Sequence, residues 1–183
     1  MSTHGNPGTA PGRRAALVTG AGSGIGRAVA ARLERDGIDV LAVDLKPDPE
    51  GPGIPHQADL SQAETNEAAV AAALERFGRL DIIVAGAGIQ HVSPIQEFPV
   101  DRWNLILALM LTSPFLLARH GWEALSRAPS GRFIAIASAH SLAASPFKAA
   151  YVSAKHGVLG LVRTLALEGA AHGITASAVC PGY

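Results

Sequence analysis

The chain has 183 residues, 48% of them hydrophobic, which is enough to bury one substantial core, so we expect a single domain. Its 15 basic and 15 acidic residues cancel, so neither nucleic acid nor an anionic membrane surface is an expected partner. The one cysteine, Cys180, excludes an internal disulfide, which fits a cytoplasmic protein, and no metal site is expected.

The first twelve residues contain no apolar core of the kind a signal peptide needs, and they predict a flexible leader. The remainder, 13–183, is predicted to be one domain in which short apolar runs alternate with helical stretches. Strands are predicted at 15–19, at 38–43, just before Asp59, and at 80–84, 132–137 and 174–179. Helices are predicted at 24–36, 61–78, most of 99–127 and 149–172, the second of them with Ser61 and Glu64 as a capping box.

Continuous apolar strands separated by helices are typical of a parallel sheet that is covered on both faces. With right-handed crossovers, the leading topology is the doubly wound α/β fold of the Rossmann type. In that fold an edge strand would still follow the sixth strand, so the chain, which stops at Tyr183, is expected to lack the C-terminal edge strand. The apolar stretch 105–118 is too short to cross a bilayer and contains Pro114, which favours a buried helix or a subunit interface.

The first predicted strand runs directly into Gly20-Ala21-Gly22-Ser23-Gly24-Ile25-Gly26, and a helix follows. Glycines permit a tight turn and let the backbone approach a pyrophosphate, while the helix directs free N–H groups and its positive dipole end at the same anion. A glycine cluster alone is weak evidence, since many loops contain one. The strand before it and the helix after it are the context that a dinucleotide-binding loop requires.

Asp44 ends the second predicted strand, where a carboxylate can accept hydrogen bonds from the adenosine ribose and repel a 2′-phosphate. This predicts NAD as the cofactor, although Lys46, two residues later, could compensate the charge. Asp59 and Leu60 follow the third strand and are placed to meet the adenine amino group. An N-cap role for Asp59, before Ser61, is the alternative.

Tyr151 and Lys155 are four residues apart in a predicted helix and therefore share one face. A lysine ammonium one turn away, together with a positive nicotinamide ring, favours the phenolate form that a proton acceptor needs. Ser138 stands at the carboxyl end of the fifth predicted strand, where open α/β sheets bind their ligands. Its hydroxyl can hold the substrate oxygen while Tyr151 takes the proton and a hydride leaves for NAD.

The segment 19–26, Ser138 and the run Tyr151-Val152-Ser153-Ala154-Lys155 resemble the short-chain dehydrogenase/reductase family, from about residue 15 onward. The resemblance implies a small-molecule substrate, with Tyr151 as acid/base, Ser138 as the residue that orients the substrate, and Lys155 binding ribose and tuning the tyrosine. It also implies a homo-oligomer, tetramer or dimer. Family members have a substrate lid in the segment after Gly182, which the chain is expected to lack along with the edge strand. The expected cofactor-binding residues are Gly20, Ser23, Gly24, Ile25, Gly26, Asp44, Asp59, Leu60, Ala85, Gly86, Ala87, Tyr151, Lys155, Pro181 and Gly182.

A narrower likeness, to bacterial D-3-hydroxybutyrate dehydrogenases, lies in residues 88–92, 97–99 and 102–103 and in the sequence around Ser138 and Tyr151. It implies that Gln90, His140 and Lys148 bind the substrate. The chemistry agrees, because a 3-hydroxy acid presents a carboxylate to which a lysine brings positive charge and the other two bring directional donors. The alternative is that Lys148 is a solvated loop cation and His140 a polar residue at a strand end.

The chain departs from the family at two places. Ala85-Gly86 stands where the family usually has two asparagines, so the side-chain hydrogen bonds that brace the central strands are expected to be lost. Met110 stands where an asparagine normally helps to hold a water linked to the catalytic lysine, which methionine cannot do. Three hypotheses stay open: oxidation of a small 3-hydroxy acid, D-3-hydroxybutyrate to acetoacetate above all; oxidation of another small alcohol or a sugar; and nucleotide binding with impaired turnover.

Overall fold

The computed structural model of the protein describes residues 12–182. The predicted leader therefore lies outside the described residues, except for Gly12. The strands of the described chain are β1 (Ala15–Thr19), β2 (Asp39–Asp44), β3 (Ile54–Gln57), β4 (Ile82–Ala85), β5 (Arg132–Ile136) and β6 (Thr175–Val179). The α-helices are α1 (Gly24–Arg35), α2 (Ala63–Phe77), α3 (Val100–Leu107), α4 (Ser113–Arg127) and α5 (Ala149–Gly169).

The strands form one parallel sheet in the spatial order β3-β2-β1-β4-β5-β6. The order reverses between β1 and β4, which is the switch point at which doubly wound sheets open a crevice for ligands. Since every strand runs in the same direction, the carboxyl ends at Thr19, Asp44, Ala85, Ile136 and Val179 lie along one edge. The predicted doubly wound α/β fold is confirmed.

The continuous apolar runs in the sequence are explained by helices on both faces of the sheet. In β1, Leu17 belongs to a buried cluster that includes Phe77 of α2 and Leu117 of α4. Its neighbour Val18 points to the other face and joins a cluster that contains Ala30 of α1. Neither residue is exposed to solvent, so alternation of polar and apolar residues has no advantage in this strand.

The predicted bounds of the elements agree with the observed ones to within three residues, but the predicted capping box of α2 is wrong. The N-cap of α2 is Gln62, and it makes no side-chain cap bond. The hydroxyl of Ser61 donates instead to Asp59 Oδ1 at 2.7 Å. Asp59 therefore engages the serine locally, in the manner of an Asx-turn, before the serine can cap the helix.

The helices α3 and α4 are joined by a π-helical turn, Ala108–Thr112, into one continuous helix of 28 residues. By length and composition alone this helix could cross a membrane. Its residues Ile106, Leu117 and Leu125 are, however, at most 1% exposed and belong to the buried clusters of the protein. It is therefore a core helix, as the stretch 105–118 predicted.

Asp81 lies at the opposite edge of the sheet from the crevice and is 1% exposed. Its carboxylate accepts hydrogen bonds from the backbone N–H of Ala15 at 2.8 Å and from the guanidinium of Arg79 at 2.6 and 2.8 Å. Burial alone would raise the pKa of this carboxyl, but the hydrogen bonds from Arg79 and Ala15 outweigh it and hold the pKa below its ordinary value. Asp81 thus anchors the start of β1 to β4.

We expect Asp81→Asn to lower the free energy of unfolding by roughly 2–3 kcal/mol near pH 7, because it leaves Arg79 without its charged partner. The unfolded chain takes up the proton of Asp81 first as the pH falls, so this stability is present above the unfolded pKa and is lost in acid. Urea unfolding of the wild type and of Asp81→Asn measures the difference in the free energy of unfolding. Asp101→Asn, at a carboxylate that is 79% exposed, is the matched control. Equal unfolding energies for wild type and Asp81→Asn at neutral pH would contradict this role.

Candidate active site

The turn from β1 into α1 requires glycine at three positions, two in the loop and one in the first turn of the helix. Gly20 has a φ of 71°, in the left-handed region that disfavours other residues. A Cβ on Gly26 would lie 2.1 Å from the Gly20 carbonyl oxygen, and one on Gly22 would lie 2.6 Å from the Lys46 carbonyl oxygen. The loop is therefore packed tightly between β1, the end of β2 and the start of α1.

The helix α1 begins at Gly24, and its N-terminus faces this loop. Ser23 occupies the N-cap position but makes no side-chain cap bond, so no serine hydroxyl satisfies the first N–H groups of the helix. Ser23, Gly24 and Ile25 are all exposed at the carboxyl edge of the sheet. The free N–H groups and positive dipole at a helix N-terminus can bind an anion such as a pyrophosphate.

Asp44 is held beside the glycine loop by two backbone groups. Its Oδ2 accepts from the N–H of Gly22 at 3.0 Å, and its Oδ1 accepts from the N–H of Lys46, also at 3.0 Å. Each carboxylate oxygen has two lone pairs and so can accept a further bond. Asp44 is therefore fixed in orientation and still able to accept hydrogen bonds from ribose hydroxyls.

Asp59 and Leu60 follow β3 at the same edge. The Asp59 carboxylate is exposed, and because Gln62 is the N-cap of α2, the N-cap alternative for Asp59 is wrong. Leu60 is 3% exposed, and its carbonyl accepts a hydrogen bond from the buried amide of Asn66 at 3.1 Å. The backbone of this loop is therefore fixed, while the Asp59 carboxylate faces solvent near the expected adenine position.

The missing asparagines after β4 do not leave the central strands unbraced. The hydroxyl of Thr19, 1% exposed at the end of β1, accepts from the N–H of Gly86 at 3.0 Å and of Ala87 at 3.2 Å. A Cβ on Gly86 would lie 2.8 Å from the Thr19 carbonyl oxygen. Thr19 thus joins β1 to the segment after Ala85, and the expected loss of bracing is compensated by a residue that the sequence did not single out.

Tyr151 and Lys155 lie in the first two turns of α5 and face the end of β5. The Lys155 Nζ atom is 5.6 Å from the centre of the Tyr151 ring. It donates a hydrogen bond to the Ile136 carbonyl oxygen at 2.6 Å, where β5 ends. The predicted shared face of the tyrosine and lysine is therefore present and meets the carboxyl edge of the sheet.

Lys155 is only 6% exposed, and its surroundings act on its charge. Burial lowers the pKa of the Lys155 ammonium from 10.5 to about 8, against a smaller opposing effect of Cys180. A buried ammonium beside a phenol is an arrangement that can take part in proton chemistry at a mildly alkaline pH.

Ser138, at the end of β5, is 8% exposed and is surrounded by hydrogen-bond donors and acceptors. Its Oγ accepts from the backbone N–H of His140 at 3.1 Å and lies 3.3 Å from the Nδ1 atom of the same residue. The Nε2 atom of His140 lies 2.7 Å from the Ser145 hydroxyl. The imidazole also meets the Tyr151 ring edge to face, with ring centres 5.8 Å apart. Ser138, His140 and Tyr151 therefore form one cluster.

The other predicted substrate residues lie on two loops that are joined to each other. Lys148 is half-buried at the N-cap of α5, and Gln90 is exposed on the loop after β4. The N–H of Ser93, on that same loop, donates to the Phe147 carbonyl oxygen at 2.9 Å. The two loops thus flank the crevice together.

Pro181 and Gly182, which the resemblance places near the nicotinamide, follow β6. The N–H of Ala139 donates to the Pro181 carbonyl oxygen at 2.8 Å. This bond holds the segment after β6 against the residue that follows Ser138. Both residues therefore lie at the carboxyl edge, beside the cluster of Ser138 and His140.

Met110 lies in the π-helical turn between α3 and α4 and is 2% exposed. It packs in an apolar cluster with Ile106, Ala150 and Ala154. A Cβ on Gly88 would lie 3.3 Å from its terminal methyl group. The place of the expected asparagine is therefore filled by apolar packing under the start of α5.

A family model for short-chain dehydrogenases matches residues 14–183. The chain belongs to the short-chain dehydrogenase family. This confirms the resemblance that the sequence motifs predicted, and with it the assignment of the chain as an oxidoreductase of this family.

Relatives of the protein include two enzymes named D-beta-hydroxybutyrate dehydrogenase. The one from Rhizobium meliloti (strain 1021) is 39% identical, over 93% of this chain and 71% of the relative. The one from Cupriavidus necator (strain ATCC 17699) is 41% identical, over 93% of this chain and 70% of the relative. The oxidoreductase YxjF of Bacillus subtilis (strain 168) is 42% identical, over 93% of this chain and 71% of the relative. The chain is thus similar to hydroxybutyrate dehydrogenases among other oxidoreductases.

Proposed function

We propose that the protein oxidises a small 3-hydroxy acid with NAD, D-3-hydroxybutyrate to acetoacetate above all, as a homo-oligomer in the cytoplasm. The observation that carries this proposal is the cluster of Ser138, Tyr151 and Lys155 at the carboxyl edge of the sheet, with Lys148 at the start of the same helix as the tyrosine. The similarity to D-beta-hydroxybutyrate dehydrogenases supports the choice of acid.

The glycine loop, the N-terminus of α1 and Asp44 are the parts that would hold the dinucleotide. Bound NAD would accept the hydride from the substrate carbon. The Ser138 hydroxyl would orient the substrate oxygen, and Tyr151 as phenolate would take the hydroxyl proton. The ammonium of Lys155, 5.6 Å from the Tyr151 ring centre, favours the phenolate electrostatically.

The substrate carboxylate would meet Lys148, with Gln90 on the neighbouring loop. His140, which was expected beside them, has both ring nitrogens next to serine hydroxyls, Ser138 and Ser145, and would act from beside Ser138. A charged group at the N-cap of α5 suits this purpose, because it stands about one helical turn before the proton acceptor.

We expect Lys148→Ala to raise KM for D-3-hydroxybutyrate by about tenfold or more, because it removes a charge-assisted bond to the carboxylate. KM for an uncharged alcohol such as butan-2-ol should change little. Initial rates of NADH formation measure both. Arg163→Ala, which removes an exposed cation about four turns further along α5, is the matched control. An equal effect of Lys148→Ala on the acid and on the alcohol would remove its role in carboxylate binding.

We expect Asp44→Ser to reduce the preference for NAD over NADP by at least about tenfold, because it removes the carboxylate that repels a 2′-phosphate. Titration of the protein with both reduced cofactors, followed by fluorescence, measures this without any turnover. Asp101→Ser, at an exposed carboxylate in α3, should leave both affinities unchanged. A wild-type protein that binds NADPH as tightly as NADH would contradict the proposed cofactor.

Met110 favours one competing function, a dinucleotide-binding protein with impaired turnover. Its thioether is buried among apolar side chains and cannot hold a water in the way that an asparagine can. Cofactor binding without NADH formation from any small alcohol would select this alternative. Oxidation of neutral alcohols or sugars in preference to the acid would select another substrate of the same family.

The proposed homo-oligomer, a tetramer or a dimer, would bury apolar side chains that α4 and α5 expose. Phe115 of α4 is 46% exposed and Leu167 of α5 is 81% exposed. Exposed large apolar residues on helix faces are typical of subunit contacts when they are close enough to form a patch.

A further inference from the structure

The hydroxyl of Ser145 holds one end of the His140 imidazole, and the other end of that imidazole faces Ser138. The separations are 2.7 Å from Nε2 to Ser145 Oγ and 3.3 Å from Nδ1 to Ser138 Oγ. His140 is 7% exposed and its ring packs edge to face with Tyr151. The orientation of the imidazole is therefore fixed between two hydroxyls in the interior of the site.

We assign the position of the proton on the neutral ring from these two distances. A hydroxyl donor generally lies closer to its acceptor than an N–H donor does, near 2.7–2.8 Å to an oxygen acceptor against about 2.9–3.0 Å. The 2.7 Å separation at Nε2 favours donation from the Ser145 hydroxyl to the ring. The ring proton then lies on Nδ1, directed at Ser138.

This tautomer determines what the Ser138 hydroxyl can do. The oxygen of a serine hydroxyl has two lone pairs and one proton. The backbone N–H of His140 already donates to Ser138 Oγ at 3.1 Å, and the Nδ1–H group would occupy the second lone pair. The only remaining capacity of Ser138 is to donate its own proton. In the other tautomer Ser138 would donate that proton to Nδ1, and the proton would not be available for a hydrogen bond to the substrate.

We propose that Ser145 is a positioning residue, which fixes the Nδ1–H tautomer of His140 and so makes Ser138 a hydrogen-bond donor to the substrate oxygen. Such a donor matters most where negative charge develops on that oxygen as its proton passes to Tyr151, so it stabilises the transition state more than the bound alcohol. The proposal rests on the proposed oxidation of an alcohol, and it gives His140 a role through Ser138.

The local backbone supports a fixed place for Ser145. The residue precedes Pro146, which restricts it to extended conformations. Phe147 then adopts a φ of 66°, and its carbonyl oxygen accepts from the N–H of Ser93. Since a non-glycine residue rarely holds that conformation without support, the loop that carries Ser145 is fixed by its contact with the loop after β4.

The tautomer can be read without substrate or cofactor. Two-bond ¹H–¹⁵N NMR of the wild-type protein should show His140 as the Nδ1–H tautomer, and Ser145→Ala should shift it toward Nε2–H. Ser145→Thr, which keeps the hydroxyl, should restore the wild-type pattern. An Nε2–H or doubly protonated ring in the wild type, or a pattern unchanged by Ser145→Ala, would overturn the proposal.

Steady-state kinetics provide a second test of the proposal. Ser145→Ala should lower kcat for the alcohol by about tenfold, the effect of one hydrogen bond, while KM for alcohol and NAD stay within about twofold. Ser145→Thr should recover most of kcat. Ser126→Ala, a serine whose hydroxyl donates to its own helix at Trp122, is the matched control. A KM effect alone, or no rescue by threonine, would overturn the positioning role.

If the wild type shows no turnover, the proposed function is refuted instead. The NMR result on the His140 tautomer would still test the role of Ser145 by itself.

Discussion

Tyr151→Phe is expected to lower kcat for NADH formation by about 10²- to 10⁴-fold, the range that a positioned proton acceptor contributes. The change removes one oxygen and leaves the ring, which packs edge to face with His140 and lies 5.6 Å from Lys155 Nζ. Packing at the start of α5 should therefore survive. Stopped-flow or steady-state absorbance of NADH measures the rate.

Cofactor affinity separates loss of chemistry from loss of structure in this variant. Fluorescence titration with NADH should give a Kd within about threefold of the wild type, because the glycine loop and Asp44 are untouched. Ser138→Ala should also lower kcat, by a smaller factor, since its hydroxyl orients and donates but does not accept the proton. A Tyr151→Phe variant that keeps most of its turnover would show that another group takes the proton.

Lys155→Met is expected to abolish turnover and, at neutral pH, to make the protein more stable. The burial that lowers the pKa of Lys155 from 10.5 to about 8 means that the charged form is disfavoured in the folded state by roughly 3 kcal/mol. Methionine removes this cost. It also leaves the Ile136 carbonyl oxygen without its donor, which costs about 1–2 kcal/mol. The net gain near pH 7 should be about 1–2 kcal/mol.

The stability difference between Lys155→Met and the wild type should depend on pH. Between pH 8 and 10.5 the folded wild type has released the Lys155 proton while the unfolded chain still holds it. The unfolded state then binds more protons, so the wild type gains stability as the pH rises through this window. The variant has no such group, and its advantage should disappear by about pH 10.

Urea unfolding of both proteins near pH 7 and pH 10 measures the effect. Lys46→Met, at an exposed lysine, is the control for loss of a surface charge and should change stability little at either pH. If Lys155→Met lowers the free energy of unfolding by the same amount at pH 7 and at pH 10, burial of the Lys155 ammonium carries no free-energy cost, and the prediction is wrong.

Much of the fold could be predicted because its causes are local. The apolar runs of β1 and β4 identify strands buried on both faces, and the glycines from Gly20 to Gly26 are required by contacts as close as 2.1 Å. The spacing of Tyr151 and Lys155 places them on one face of a helix whatever the surroundings. These features follow from backbone geometry, which a sequence pattern reports directly.

The parts that could not be predicted depend on contacts between distant segments. Thr19 braces the residues after β4 across 67 positions of sequence, and nothing in its own neighbourhood indicates this. The Ser61 capping box was predicted from local spacing, but the carboxylate of Asp59 takes the serine hydroxyl. The link from Ser145 through His140 to Ser138 depends on the path of the loop before α5. Ser138, His140 and Tyr151 could be predicted from the sequence, but no motif identifies Ser145.

The central claim is that the cluster of Ser138, Tyr151 and Lys155 turns over a 3-hydroxy acid with NAD. The most direct measurement is NADH absorbance when the full-length protein is given NAD and D-3-hydroxybutyrate at mildly alkaline pH, with Tyr151→Phe as the blank. We predict steady NADH formation by the wild type, slower by at least about 10²-fold in the variant. Clear NAD binding with no NADH formation from this acid would contradict the account.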